Sequence, residues 1–552
     1  MSEIERDPAG LHTRTERLAR LCLLMLFVVV LLRTAWLCDD AYITLRTVDN
    51  CLDGHGLRWN VAERVQSHTN PLWTLVLLCG SAITGELYFT TIAISIVVSM
   101  AAVVLLVRRH CATLTAALFA VASLILSKAF IDYSTSGLEN PLGHLLLVLF
   151  LARLARGLTD RRAAFEVALL AGLSAVNRLD SILFYVPALL VLAARLRLQS
   201  LRPMFLGFLP LLLWELFSIV YYGFPFPNTA YAKIGVDIPQ GELLHQGFYY
   251  WLNSLQSDPL TVAVIGLGLL SPWLSARREG LTAALGCVLF AVYITKIGGD
   301  FMSGRHFTPL FLVSVVLLLR NFAFERNLQS AVAIGSVVLL GVAGKAPPLL
   351  TDGDYSEPRT QASVFDSHGI TDERAFYYPQ TGLLSTARVI DGPDHVWARQ
   401  GARAREAGKK IDVIGTIGFF GVSAGPSVHV LDLHALSDPL LARIPRLVRS
   451  TAVINPGKTW RIGHFERAIP EGYLETLESG TNQIVDPDLK RYYEKLLLIT
   501  RGPLFSLERW KAIAGMNLGT CDDWMEAYVQ RLESAAASSA AKDAAGSDGK
   551  PQ

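Results

Sequence analysis

A polytopic α-helical membrane protein with a C-terminal extracytoplasmic α/β domain is the fold class this sequence predicts, and three observations predict it. Hydrophobic residues make up 51% of the 552 positions and charged residues only 18%, with a mean hydropathy of +0.36, whereas a soluble chain is about a quarter charged. Apolar stretches of spanning or near-spanning length recur through residues 18–344 and then stop. The basic clusters between those stretches all fall on one side of the implied bilayer. A net charge of +2 leaves no global basic field for nucleic acid.

A crossing helix needs about 20 mostly apolar residues. About eleven transmembrane helices are expected, near 18–37, 86–107, 110–127, 140–156, 163–176, 181–196, 204–222, 259–275, 280–295, 306–322 and 328–344. The first follows a polar leader and lacks a small-residue cleavage site, which predicts an anchor and not a removed signal. The stretch 71–84, "PLWTLVLLCGSAIT", is too short to span and reads as a re-entrant or interfacial helix. With a cytoplasmic N-terminus, Arg14, Arg17 and Arg20, Arg108 and Arg109, Arg153, Arg156, Arg161 and Arg162, Arg195, Arg197 and Arg202, Arg277 and Arg278, then Arg320 and Arg326 are all cytoplasmic. Counting 71–84 as a crossing would divide them between both faces. The expected location is the bacterial inner (cytoplasmic) membrane, with residues 1–345 forming the membrane domain.

The loops on the other face are chemically diverse: "DDAYITLRTVDN", "FIDYSTSGLEN", "NRLD", "YYGFPFPNTAYAK" and "KIGGDFMSGRHF". That asymmetry is what an outward-facing active site predicts. The stretch "CDDAYITLRTVDNCLDGHGLRWN", residues 38–60, leaves the first span straight into two carboxylates and reads as an amphipathic interfacial helix ending at Gly54. The seven cysteines show no C-x-x-C spacing, so structural zinc has no support. Cys38 and Cys51 can pair on an oxidising face or be ordinary small apolar residues.

Residues 346–530 read as the extracytoplasmic α/β domain. In "KKIDVIGTIGFFGVSAGPSVHVLDLHAL" the expected order is a strand from Ile411 to Gly415, a glycine-rich turn, a short helix and a strand from Val428 to Leu433. Gly415, Gly418 and Gly421 match neither G-x-G-x-x-G nor a P-loop, so they read as structural. The small, polar residues 531–552 read as a disordered tail.

Nucleotide sugars stay in the cytosol, so an outer-face transferase takes its sugar from a lipid, on a polyprenyl phosphate. Such an enzyme needs a carboxylate near the sugar, cations near the phosphate and an apolar groove. Asp39 and Asp40 are the expected catalytic carboxylates, against the alternative of helix caps. Arg178, Arg305, His306 and Lys233 are the expected phosphate ligands, because arginine offers a planar fork and lysine a point charge. Gly298 and Gly299 would admit close approach of backbone to a ligand. Tyr42, Arg46, Asn228, Tyr231 and Asp300 complete the expected substrate-binding set, with Asp132 and Asp180 on the same face. Trp59 and Trp73 can stack on a sugar or belong to the interfacial aromatic belt. Asp39, Asp40 and Asp300 can also hold a divalent cation, although no spacing compels one.

The segments "DDAYITLR", "GHGLRWN", "ERVQSHTNPLW", "YYGFPFPNTAYAK", "GGDFMSGRHFTPL", "GFFGVSAGPSVHVLDLHALSDPLLARIPR" and "RIGHFERAIPEGY" resemble the terminal β-(1→2) arabinofuranosyltransferase family of actinobacterial cell walls, over about residues 33–475. The resemblance implies a GT-C fold glycosyltransferase that uses decaprenylphosphoryl-arabinofuranose, or a similar lipid-linked sugar, with a glycan acceptor. It places the first-loop acidic pair, Asp39 and Asp40 here, at the active site. It also implies net retention, so an aspartate either attacks the anomeric carbon or stabilises an oxocarbenium-like state. The rival readings are transfer of another sugar to lipid, pilin or polysaccharide, transport of a lipid-linked sugar, and a membrane scaffold. Transporters carry charge at mid-membrane and internal repeats, and neither is visible here.

Overall fold

The computed structural model describes residues 14–234, 236–275, 280–351, 364–385, 393–448 and 460–547, with side chains to 535. Arg277 and Arg278, expected to be cytoplasmic, lie outside them. The described chain is mostly helical, and each expected crossing falls on or beside a helix. These are α1 (Arg14–Thr34), then α4 (Tyr88–His110), α5 (Leu114–Leu126), α7 (Asn140–Leu154), α8 (Arg161–Asn177), α9 (Val186–Leu196), α10 and α11 (Leu201–Gly207, Leu209–Tyr221), α14 (Pro259–Leu274), α15 (Leu281–Lys296), α16 (Phe307–Asn321) and α17 (Leu328–Val342). Between them lie α2 (Asp39–Leu52), α3 (Pro71–Thr84), α6 (Lys128–Asp132), α12 (Asn228–Lys233) and α13 (Gln240–Ser257). Among the described residues α4 alone is long and apolar enough to cross a membrane by itself, and up to four spans result if each bent pair counts as one. One such pair is α1 with α2, bent by 87°, so α2 turns sharply away from the first apolar helix.

Local chemistry sets these boundaries. Pro71 starts α3 and Gly85 ends it in the left-handed conformation. Thr113, Asp160 and Asn327 cap α5, α8 and α17 by accepting backbone N–H bonds. Helix α16 is apolar all round and is buried from Phe307 to Leu319 except at Pro309, the placement expected of a central helix. It packs against α14 so closely that a Cβ on Gly268 would stand 2.4 Å from the Ser314 side chain.

The C-terminal part contains one βαβ unit. Strand β1 (Ile411–Ile414) pairs in parallel with β2 (His429–Asp432), in the register Ile411 to His429, and the helix Gly418–Ala424 connects them. Both strands are slightly shorter than the sequence pattern suggested. They are the two named strands of the described residues, and the rest of this part is largely helical. Residues 531–547, expected to be disordered, belong to a helix running from Asp522 to Ser547. Alanine is the strongest helix former, and its abundance in "SAAASSAAKDAA" outweighs the polarity that suggested disorder.

The two parts interlock through backbone contacts. Leu383 donates to Ala35 O at 2.8 Å, and the Thr381 hydroxyl donates to Leu37 O at 2.7 Å. Arg509, fully buried, donates to Val220 O and Tyr221 O at the end of α11.

Candidate active site

The adjacent acids at the start of α2 have different surroundings. Asp39 is buried, and its carboxylate accepts the backbone N–H groups of Gly418 at 3.1 Å and Phe419 at 2.7 Å. It therefore docks the βαβ helix onto α2. Burial, with the charge of Asp40, raises its pKa to about 7 against the pull of those two bonds. A Cβ on Gly418 would lie 1.9 Å from Asp39 O, and one on Gly421 would lie 2.9 Å from the Trp59 ring. Close helix packing is thus the reason for these two glycines. Arg46, nearly two turns along α2, donates to Trp59 O, Gly421 O and Val428 O and lies over the Trp59 ring at 4.3 Å. Three backbone carbonyls thus hold the guanidinium of this expected substrate ligand.

A second cluster forms around Glu139, immediately before α7. Its Oε1 accepts from Arg178 Nη1 at 3.1 Å and Arg305 Nη2 at 2.9 Å, while Oε2 accepts from Asn70 at 3.0 Å. Burial opposes ionisation, but Arg305 and Arg178 prevail and hold the carboxyl at about 2. Asp180 accepts from the other edge of Arg178 at 2.8 Å. His306 Nε2 stands 3.2 Å from Arg178 Nη2 and 3.1 Å from Asp300 Oδ2. Against burial, the hydrogen bond and charge at His306, with Arg305 and Lys233, hold Asp300 below the usual carboxylate range. Arg305 Nε is buried without a partner. Arg178, Arg305 and His306 line one cavity of about 50 Å³, whose other walls include Leu147, Phe184, Phe290 and Pro309.

The third cluster surrounds Asp40. Among the described residues no hydrogen bond or ion pair reaches its carboxylate. Burial raises its pKa, Lys233 and Arg305 oppose the rise, and Asp300 and Glu139 add to it. Asp40 is half-buried and Lys233 is exposed. Glu373, in the C-terminal part, is 6% exposed, and burial followed by the charge of Asp40 pushes its carboxyl well above the usual range, with Arg461 opposing.

Neither Glu139 nor Glu373 was expected from the sequence. Glu139 sits in the quoted loop "FIDYSTSGLEN", directly before an Asn-Pro helix start, and that position was the available signal. Glu373 had none, because "TDERAF" reads as an ordinary helix cap and first turn.

The remaining expectations divide. Asn228, an expected ligand, donates to Ala435 O, Leu436 O and Asp438 O and so holds a loop. Tyr231 lies under the Arg443 guanidinium at 4.4 Å, in a cleft with Arg64 and Phe226. Tyr42 packs its ring edge on Phe419 at 4.8 Å, and its hydroxyl is buried without a partner. Trp59 and Trp73 are wholly buried, so neither can stack on a sugar. A Cβ on Gly299 would meet Tyr250 at 2.5 Å, so close packing against a tyrosine and not against a ligand explains that glycine. Asp132 pairs with Lys128 and with Arg374 at 2.6 Å. Cys38 and Cys51 are unpaired thiols. Among the described residues no group of three or more His, Cys, Asp or Glu is placed to hold a metal ion, and the backbone bonds of Asp39 turn it away from the trio with Asp40 and Asp300.

Two curated proteins match the chain over most of its length. Both carry the name terminal beta-(1->2)-arabinofuranosyltransferase. The protein of Mycobacterium tuberculosis is 26% identical over 529 residues, covering 79% of this chain and 81% of its own. That of Corynebacterium glutamicum is 26% identical over 494 residues, covering 75% and 71%. No family model matches, and no solved structure matches significantly. The chain is thus a homologue of glycosyltransferases across three quarters or more of its length.

Proposed function

We propose that this homologue of the terminal β-(1→2)-arabinofuranosyltransferases is a GT-C membrane enzyme with about eleven crossings. It transfers arabinofuranose from a polyprenyl-phosphate donor to a cell-envelope glycan on the extracytoplasmic face. One observation carries the reading: Glu139 joins Arg178 and Arg305 beside an open space walled by Leu147, Phe184, Phe290 and Pro309. Two planar forks next to an apolar wall suit a phosphate esterified to a prenyl chain. Arg305 also bears electrostatically on Asp40, so a sugar carried by that phosphate comes within reach of the free carboxylate.

The mechanism follows from these positions. Glu139 orients the arginines, which stabilise the negative charge gathering on the departing phosphate. Lys233 and Arg305 favour the ionised form of Asp40. Asp40 then acts at the anomeric centre while the acceptor hydroxyl approaches from the side of the C-terminal part.

The direct test is Asp40→Asn in the full-length membrane protein, assayed with synthetic polyprenyl-phosphoryl arabinofuranose. Turnover is expected to fall by about 100-fold or more. Wild-type turnover in that variant would remove Asp40 from the reaction. Mass spectrometry of envelope glycans from a deletion strain identifies the sugar transferred.

A further inference from the structure

Three anchors fix the first turn of the helix Glu373–Thr381. Upstream, Thr371 donates to Phe301 O at 2.7 Å and accepts from Ser303 at 2.9 Å, while its hydroxyl accepts from Arg461 at 2.7 Å. That pairing ties it to the loop carrying Asp300 and Arg305. Flanking Glu373 on both sides, Asp372 accepts from Lys128 at 3.1 Å and Arg374 donates to Asp132 at 2.6 Å. Downstream, Thr381 bonds to Leu37, two residues before Asp39, and Tyr377 stacks on Trp36. Both neighbours of Glu373 are locked into one ion network with Lys128 and Asp132. The glutamate itself, among the described residues, has no hydrogen bond and no ion pair.

We propose that Glu373 is a catalytic acid–base residue working with Asp40 on the lipid-linked sugar; this rests on the reading of the site given above. Two unpartnered carboxylates, one opening the helix that follows Leu37 and the other on a helix bonded to Leu37 and next to the Phe301 loop, are a suitable pair for displacement at an anomeric carbon. Their surroundings differ: Asp40 has the cations Lys233 and Arg305 beside it, whereas burial and Asp40 itself push the Glu373 carboxyl well above the usual range. In the first step the bond from C1 to the phosphate oxygen breaks as Asp40 bonds to C1. Glu373 gives its proton to the departing phosphate. In the second step the acceptor oxygen bonds to C1 as the Asp40 ester breaks, and the hydroxyl proton passes to Glu373. Both carboxyl groups are restored. Esterification removes the negative charge of Asp40 and so eases the ionised state of Glu373 between the steps.

The test uses the full-length protein in lipid nanodiscs with polyprenyl-phosphoryl arabinofuranose and an arabinan oligosaccharide. Glu373→Gln is expected to lose about 100-fold or more in turnover and to accumulate a pentosyl ester at Asp40, detectable by peptide mass spectrometry. Glu373→Ala is expected to regain turnover with added azide, releasing a pentosyl azide. The pH profile of the wild type should lose its alkaline limb in Glu373→Gln. The charged groups around Glu373 are Asp39 and Asp40 on α2, Asp300 and Arg461, and Cys38, Tyr133 and Tyr377 sense it in turn. Wild-type turnover in Glu373→Gln, with Asp40→Asn inactive, would overturn the role of Glu373 and leave the transferase reading intact. Loss in Glu373→Gln without an ester at Asp40 and without azide rescue would likewise overturn it in favour of a structural role. Full activity in both Glu373→Gln and Asp40→Asn would sink the site reading itself.

Discussion

The carboxylate of Asp39 accepts the backbone N–H of Phe419 across 2.7 Å, joining residues 380 positions apart. This bond gives two neighbouring acids different surroundings: Asp39 docks the C-terminal part, and among the described residues no hydrogen bond or ion pair reaches the Asp40 carboxylate.

Asp39→Asn should therefore behave differently from Asp40→Asn. An asparagine oxygen can accept from only one of Gly418 and Phe419, and an orphaned buried donor costs about 1–3 kcal/mol. Activity is expected to stay within about tenfold of wild type, compared with about 100-fold loss or more for Asp40→Asn. Because Asp39 binds its proton more tightly in the fold, its contribution to stability is full below its ordinary value of 3.8. That contribution is lost as pH rises to about 7. The difference in unfolding free energy between wild type and Asp39→Asn, measured across that window, should shrink with rising pH. A difference that grows with pH would contradict this account.

Glu139→Gln removes the carboxylate that holds Arg178 and Arg305. Breaking a buried pair by removing one partner costs about 3–5 kcal/mol, and the arginines lose their common orientation. The apparent KM for the lipid donor should rise more than that for the acceptor. Glu139 in the wild type stays ionised down to about pH 2, so its stabilisation is present above its ordinary 4.5 and fades only as pH falls from there. Steady-state kinetics with each substrate varied in turn measure the first effect, and acid titration of unfolding measures the second.

Lys233→Gln removes a cation that keeps Asp40 ionised. The pKa of Asp40 should then rise, moving the acid limb of the rate profile to higher pH. Turnover near neutrality is expected to fall about tenfold or more. An unmoved acid limb would separate Lys233 from Asp40.

Gly143→Leu fills part of the open space beside the arginines, where a Cβ would stand 3.5 Å from Asn177 Nδ2. A long prenyl chain along that wall would be excluded, while a donor truncated to a short alkyl phosphate would be less affected. The ratio of kcat/KM for long and short donors is the measurement, and an unchanged ratio would place the prenyl chain elsewhere.

The apolar helices were legible because burial in lipid or core imposes long runs of one chemistry, and those runs lie within contiguous sequence. The βαβ unit was legible from alternation and glycine spacing. The loops bearing Arg178, Arg305 and Asp300, grouped in the sequence by the distribution of charge, do meet in the structure through His306. The function of the two relatives was foreshadowed by the quoted motifs. Helicity in residues 531–547 was not foreseen, because alanine propensity and low complexity point in opposite directions.

The sequence by itself determined the apolar, mostly helical character and the set of polar residues from which a site is drawn. Only the tertiary structure decided which of them are bonded to each other. Arg46 and Asn228 look like ligands in a string of letters, but buried carbonyls claim their donors. Glu139 was passed over because its partners lie 39 and 166 residues away. Glu373 was missed because Asp40 comes near it only after folding. The reason is physical: a polar side chain's role depends on which other groups share its desolvated neighbourhood, and long-range packing sets that neighbourhood.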